Sequence, residues 1–189
     1  VEKRVELGSA LFSCAYQNDI SGLMTGNIFR KPFRYFDDLD PAKSYTVRMG
    51  VDLASSEKER ADYTSRATVA DDGEGNFYVM SVYRDKRETH HAEFIQDGWM
   101  AYPNMGLVIV ESQQFQSTLI QEVMREYPRI PIEGKKSDTD KVTRARAVAA
   151  KYEAGKVWHR SSLRDSDFER ELLSFPKGHD DMVDALGFA

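Results

Sequence analysis

From Thr46 to Ala54 apolar and polar side chains alternate, with Val47, Met49, Val51 and Leu53 on one face and Arg48, Gly50 and Asp52 on the other. That period of two predicts a strand in a sheet. A second strand is expected at about Tyr63 to Ala70, a hairpin turn at Asp71–Asn76 from its Asp, Gly and Asn content, and a return strand over Phe77 to Arg84. The period then changes. Ala92, Ile95, Trp99 and Tyr102 recur at helical spacing, and Pro103-Asn104 ends that helix. Leu107 to Val110 is wholly apolar, as in a central strand covered on both faces. A helix over about Gln114 to Tyr127 turns Leu119, Ile120, Val123 and Met124 inward, and a short strand follows at Ile130–Ile132. After a polar loop from Glu133 to Asp140, Val142, Ala145, Ala149 and Tyr152 form one helical stripe with Gly155 as its cap. Val157-Trp158 reads as a last edge strand, followed by a helix near Ser166–Leu173, a break at Phe175-Pro176 and a final helix from about Asp180. Three sequential strands, then alternating helices and strands, make a mixed α/β sheet with helices on both faces.

Residues 1–44 lack this regularity. A short helix is expected there, then an irregular arm whose aromatics, Phe29, Phe33, Tyr35 and Phe36, pack against the body from about residue 45 onward. The chain begins at Val1 without a Met and ends inside an apparent helix, as expected of a domain cut from a longer protein. Of its 189 residues 41% are hydrophobic, enough for one globular core. With Cys14 as the single cysteine, no internal disulfide can form and a reducing compartment is expected. No apolar run approaches the roughly 18 residues that cross a bilayer, so a soluble protein without a membrane partner is expected.

Composition alters the picture at two places. Asp52 sits in a strand, where a carboxylate must be paired, neutralised or bound to metal. Glu111 follows the apolar strand and Asp180-Asp181 open the last helix, so a mixed sheet could bring all these acids to one rim. Hard oxygen donors without a His or Cys cluster suit Mg2+ or Mn2+, and two such ions held roughly 3.5–4 Å apart drive phosphodiester hydrolysis. The acids are expected to crowd so closely that only bound dications let them coexist. Taken singly, Asp52 also reads as a buried hydrogen-bonding residue, Glu111 as the first solvated residue after a strand, and Asp180 and Asp181 as a helix cap and dipole partner. Asp184, one turn on, either extends the site or faces solvent. His179 is a possible acid or base, with an exposed role the commoner outcome.

The second place is basic. The net charge of -5 gives no global case for a nucleic-acid partner, but residues 135–170 hold 10 Lys or Arg against 6 Asp or Glu. Lys135, Lys136, Lys141 and Arg144, with Arg146, cluster at a loop and the first turns of a helix, where they could hold phosphates. An ordinary solvated helix face explains them equally. No phosphate-binding Gly-x-x-x-x-Gly-Lys-Ser/Thr loop is present.

Four ordered blocks carry a resemblance: Met49–Ala54 with Asp62-Tyr63-Thr64, Val108–Ser112, Thr139–Ala145 and Phe175–Leu186. Together they resemble the nuclease domain of the large terminase subunit of tailed bacteriophages, from about Tyr45 to Ala189. The resemblance implies a ribonuclease H-like α/β fold for 45–189 and makes 1–44 the tail of a linker from a missing ATPase domain. It further implies a metal-dependent endonuclease that cuts concatemeric double-stranded DNA during genome packaging in the host cell cytoplasm. Asp52, Glu111 and the Asp180-Asp181 pair would be metal ligands, with Asp181 the expected principal one. The portal, the small terminase subunit and the ATPase domain of the same polypeptide would be partners. Two alternatives share the fold: a RuvC-like junction resolvase and a docking domain without turnover.

Overall fold

The computed structural model describes residues 27–53, 63–86, 90–111, 116–136 and 139–189. The short helix expected ahead of the arm, and Asp62 and Ser112 of the resembling blocks, lie outside these residues. The strands are β1 (Arg34–Phe36), β2 (Thr46–Asp52), β3 (Thr64–Asp71), β4 (Phe77–Asp85), β5 (Met105–Glu111), β6 (Ile132–Lys135) and β7 (Val157–Arg160). They form one mixed sheet in the order β1-β7-β4-β3-β2-β5-β6. β3 is antiparallel to β2 and β4, and every other neighbouring pair is parallel. All strands but β3 therefore point the same way, and the carboxyl ends of β4, β2, β5 and β6 share a rim with the start of β3.

The described helices are α1 (His91–Met100), α2 (Gln116–Glu126), α3 (Lys141–Glu153), α4 (Asp167–Ser174) and α5 (Asp181–Phe188). Alternation in β2 decides which helices cover which face. Val47, Met49 and Val51 pack with Ile95 of α1 and Leu119 and Val123 of α2 in one buried cluster. On the opposite face Ala149 of α3, Phe168 and Leu172 of α4, and Met182 and Ala185 of α5 form a second. A mixed sheet with helices on both faces follows, as expected from the order of elements. Among the described residues no helix is long and apolar enough to cross a membrane.

Three expectations need correction. Val157-Trp158 is not an edge: β7 lies between β4 and β1, because Arg34–Phe36 adds a parallel strand outside it. A three-residue strand has too few positions for a visible period. The strand expected at Ile130–Ile132 begins at Ile132 and runs to Lys135, since Glu133, Gly134 and Lys135 continue the ladder opposite Ile109, Val110 and Glu111. Their exposed side chains on the sheet edge hid the strand. Met124 is 51% exposed, one helical step past buried Val123.

The arm is part of the core. Phe29 and Phe33 are buried, and both rings meet Tyr152 of α3 edge-on. Beneath them the buried His159 Nδ1 and Glu169 Oε1 lie 2.7 Å apart, Tyr152 Oη is 2.8 Å from His159 Nε2, and Tyr35 donates to Glu169 Oε2 at 3.2 Å. Buried polar groups of this kind are tolerated because each has a partner.

Candidate active site

Gly50 sets the distance between sheet and last helix. A Cβ there would lie 2.1 Å from the Ala185 carbonyl oxygen and 2.5 Å from Ala189 N, so the bare backbone lets α5 lie directly on β2. Asp52 is two residues along on the same face, and α5 begins with Asp181 and Asp184 over that end of the strand. The start of α5 is held from outside. Its N-cap, Asp180, makes no side-chain cap bond; Glu171 of α4 instead accepts from the amides of Met182 (2.7 Å) and Val183 (3.2 Å) through Oε1. Burial pushes the Glu171 carboxyl up to about 7, against those amides and Arg84, which lower it. Arg84 of β4 closes the arrangement, 3.3 Å from Glu171 Oε2 and 3.1 Å from Asp167 Oδ2. Nothing in the periodicity of α4 marked Glu171; its only signal was a charged residue on the buried side of an amphipathic helix.

Strand register supplies the rest. Val51 of β2 pairs with Val110 of β5, so Asp52 and Glu111 are one step further on neighbouring strands. Glu111 pairs with Lys135, Asp52 with Ser65, and Ser65 with Arg84. Paired residues share a sheet face. One row thus reads Arg84, Ser65, Asp52, Glu111, Lys135 across five strands, with Asp181 and Asp184 above its centre.

Burial, followed by the charges of Asp184, Glu111 and Asp181, pushes Asp52 well above the usual carboxylate range, with Lys141 opposing. Burial raises Glu111 as well, with Asp184 adding to the shift and Arg144 and Lys141 opposing it. Two cations reach into this group. Asp140 caps α3 by accepting from Thr143 N at 3.0 Å, which starts the helix at Lys141 and places Arg144 one turn on. Lys141 Nζ is 2.8 Å from Asp180 Oδ1 and 2.5 Å from Asp184 Oδ2. Arg144 is 2.9 Å from Asp184 Oδ1 and 3.8 Å from Glu111 Oε1.

The structure therefore brings Asp52, Glu111, Asp181 and Asp184 to one place, with Asp180 at its margin. It puts Lys141 and Arg144 inside the acid group, whereas Lys135 and Lys136 are exposed at the end of β6. His179 is largely exposed, with Nδ1 3.9 Å from Asp181 Oδ2. The expectation that dications alone let these acids coexist is corrected, since Lys141 and Arg144 already serve as counter-charges.

By donor type the group suits a hard dication, with four buried or half-buried carboxylates and no thiolate. Ser65 Oγ, buried in the row beside Asp52, has no hydrogen-bond partner, and a cation's water shell would satisfy it. In their present positions, however, no three His, Cys, Asp or Glu among the described residues are grouped to hold a metal ion.

A mixed sheet with acids from two strand ends and a helix start is the arrangement that the ribonuclease H-like resemblance implies. A family model described as the terminase RNaseH-like domain matches residues 49–189, and the chain belongs to that family. No curated protein matches it. Among solved structures it is similar to the large terminase of the thermophilic bacteriophage D6E (TM-score 0.67, 15% identity, 99% of this chain and 50% of that one). It is also similar to the large terminase nuclease of thermophilic phage G20c with bound magnesium (TM-score 0.57, 16% identity, 85% and 87%). The human cytomegalovirus terminase nuclease domain is a third (TM-score 0.53, 15% identity, 77% and 81%). This chain spans half the length of the D6E protein.

Proposed function

We propose that this chain is a metal-dependent endonuclease that hydrolyses double-stranded DNA during viral genome packaging. The observation that carries this reading is the meeting of Asp52, Glu111, Asp181 and Asp184 at one rim, in a chain of the terminase RNaseH-like family. Asp52, Glu111 and Asp181, with Asp180 or Asp184, would hold Mg2+ or Mn2+. Bound there, such ions would supply Lewis acidity and lower the pKa of a water so that it could attack phosphorus. Structures of the G20c nuclease carry bound magnesium, zinc or cobalt, and the cytomegalovirus domain was soaked in manganese. The chain's own groups hold the acids in register, and Lys135 and Lys136 contact the DNA backbone. The packaging role would call for an ATPase domain of the same polypeptide, and the D6E large terminase, half of whose length this chain covers, is known in complex with ADP. The portal, the small terminase subunit and a host-cytoplasmic setting complete the proposal.

Asp52→Asn keeps the fold and abolishes plasmid cleavage in manganese; activity retained by this variant would remove Asp52 from the site. One observation favours a second reading, a docking domain without turnover: Lys141 and Arg144 already engage the acids. Titrating manganese while following melting and plasmid nicking separates the two, since the docking domain shows neither a shift nor nicks.

A further inference from the structure

The acid row has a cationic end on each side. On one lie Lys135 and Lys136; on the other is a cluster that no part of the nuclease reading uses. Tyr63, just ahead of β3, has the Arg84 guanidinium 4.8 Å and the Lys86 ammonium 5.2 Å from its ring centroid. The His179 ring meets it edge-on at 5.5 Å. His179 belongs to the exposed turn that also carries Lys177, and its other neighbour is Asp181. Arg84 is anchored by Asp167 and Glu171, so it fixes the ring while Lys86 and Lys177 are exposed to solvent.

We infer that Tyr63, Lys86, Lys177 and His179 form a second phosphate-backbone site, so that one DNA strand crosses the acid row held at both ends. This rests on the proposed nuclease reading. The acids repel phosphate, so a polyanion lying over them needs attraction on either side. From β4 to β6 is four strand spacings, roughly 19 Å at about 4.8 Å each. A duplex lying along the row would cover roughly five or six base pairs of axis at about 3.4 Å each, with Asp52 and Glu111 near the middle of the span. The chemistry is that of backbone contact. Lysines are point charges without the planar fork that reads a base, and the Tyr63 ring is already engaged by cations.

Fluorescence anisotropy with a labelled duplex of about 20 base pairs, in EDTA and over about 50–200 mM salt, tests the site. Lys86→Glu/Lys177→Glu should weaken binding about tenfold and lower the salt slope by about one to two, as should Lys135→Glu/Lys136→Glu. Unchanged melting temperatures show that these surface variants fold, and a Lys86→Gln/Lys177→Gln variant should fall in between. Binding and slope like those of the parent in Lys86→Glu/Lys177→Glu overturn the site, as does a parent chain that fails to bind the duplex at the lowest salt. Parent nicking in manganese is scored separately. Loss of binding in the variants with no parent nicking would sink the nuclease reading and leave the phosphate site standing; nicking with unaffected binding would do the reverse.

Discussion

Lys141 shows how a charged residue is chosen by its nearest partners. Its ammonium bridges Asp180 and Asp184, and the hydrogen bonds and charges of both raise its pKa although burial opposes. The lysine is 43% exposed, so the pair is worth less than a fully buried one, about 1–2 kcal/mol. Lys141→Met should therefore lower the melting temperature in EDTA by about 2–8 °C, and manganese should close part of that gap by taking over the charge compensation. Equal melting in EDTA would show that the ammonium does not stabilise the acids. Glu171 makes a different forecast. Its carboxyl stands near 7 in the folded chain against an ordinary 4.5, so the folded state binds more protons between those values. Stability in the metal-free protein then falls as pH rises from about 4.5 to about 7, by at most about 1.4 kcal/mol per pH unit for this group. In Glu171→Gln, which keeps an acceptor for Met182 and Val183 amides, urea midpoints should decline less over the same range.

Among the elements, the contact between β2 and α5 leaves least room. In Gly50→Ala the added methyl must push the Ala185 carbonyl and the end of α5 away, costing about 1–3 kcal/mol or more. Because the same helix carries Asp181 and Asp184, cleavage should fall along with the urea midpoint; a loss of stability with full activity would mean that α5 can shift without moving the acids. This is also where the sequence was most and least informative. β2 and β5 were legible because alternation and an unbroken apolar run survive burial, and the acids at their ends were legible because strands disfavour charge. The counter-charges were not: Lys141 and Arg144 look the same in sequence whether they face phosphate or carboxylate, since a helix start suits either. Glu171 was hidden for a related reason, its purpose being set by a helix ten residues further on. β1 and the polar half of β6 escaped notice because edge positions face solvent and carry no apolar period.

At the level of the whole molecule, family likeness and folding unit do not coincide. The family match starts at residue 49, yet Phe29 and Phe33 lie in the same buried cluster as α4 and α5. Losing one buried Phe costs about 3–5 kcal/mol, against a typical total of about 5–15 kcal/mol. A chain shortened to 45–189 should accordingly lose cooperative unfolding in urea, whereas the full chain keeps a single sharp transition. A shortened chain of parent stability would make the arm a passive tether.

Among the described residues, the sheet's two borders have a consequence for crowded solutions. β1 is three residues long and β6 four, and β6 presents exposed Glu133 and Lys135 at the open side. Brief borders bearing opposite charges give a neighbouring molecule little backbone to zip onto. Edge-to-edge pairing of one copy with another through these strands is thereby disfavoured, even at high concentration.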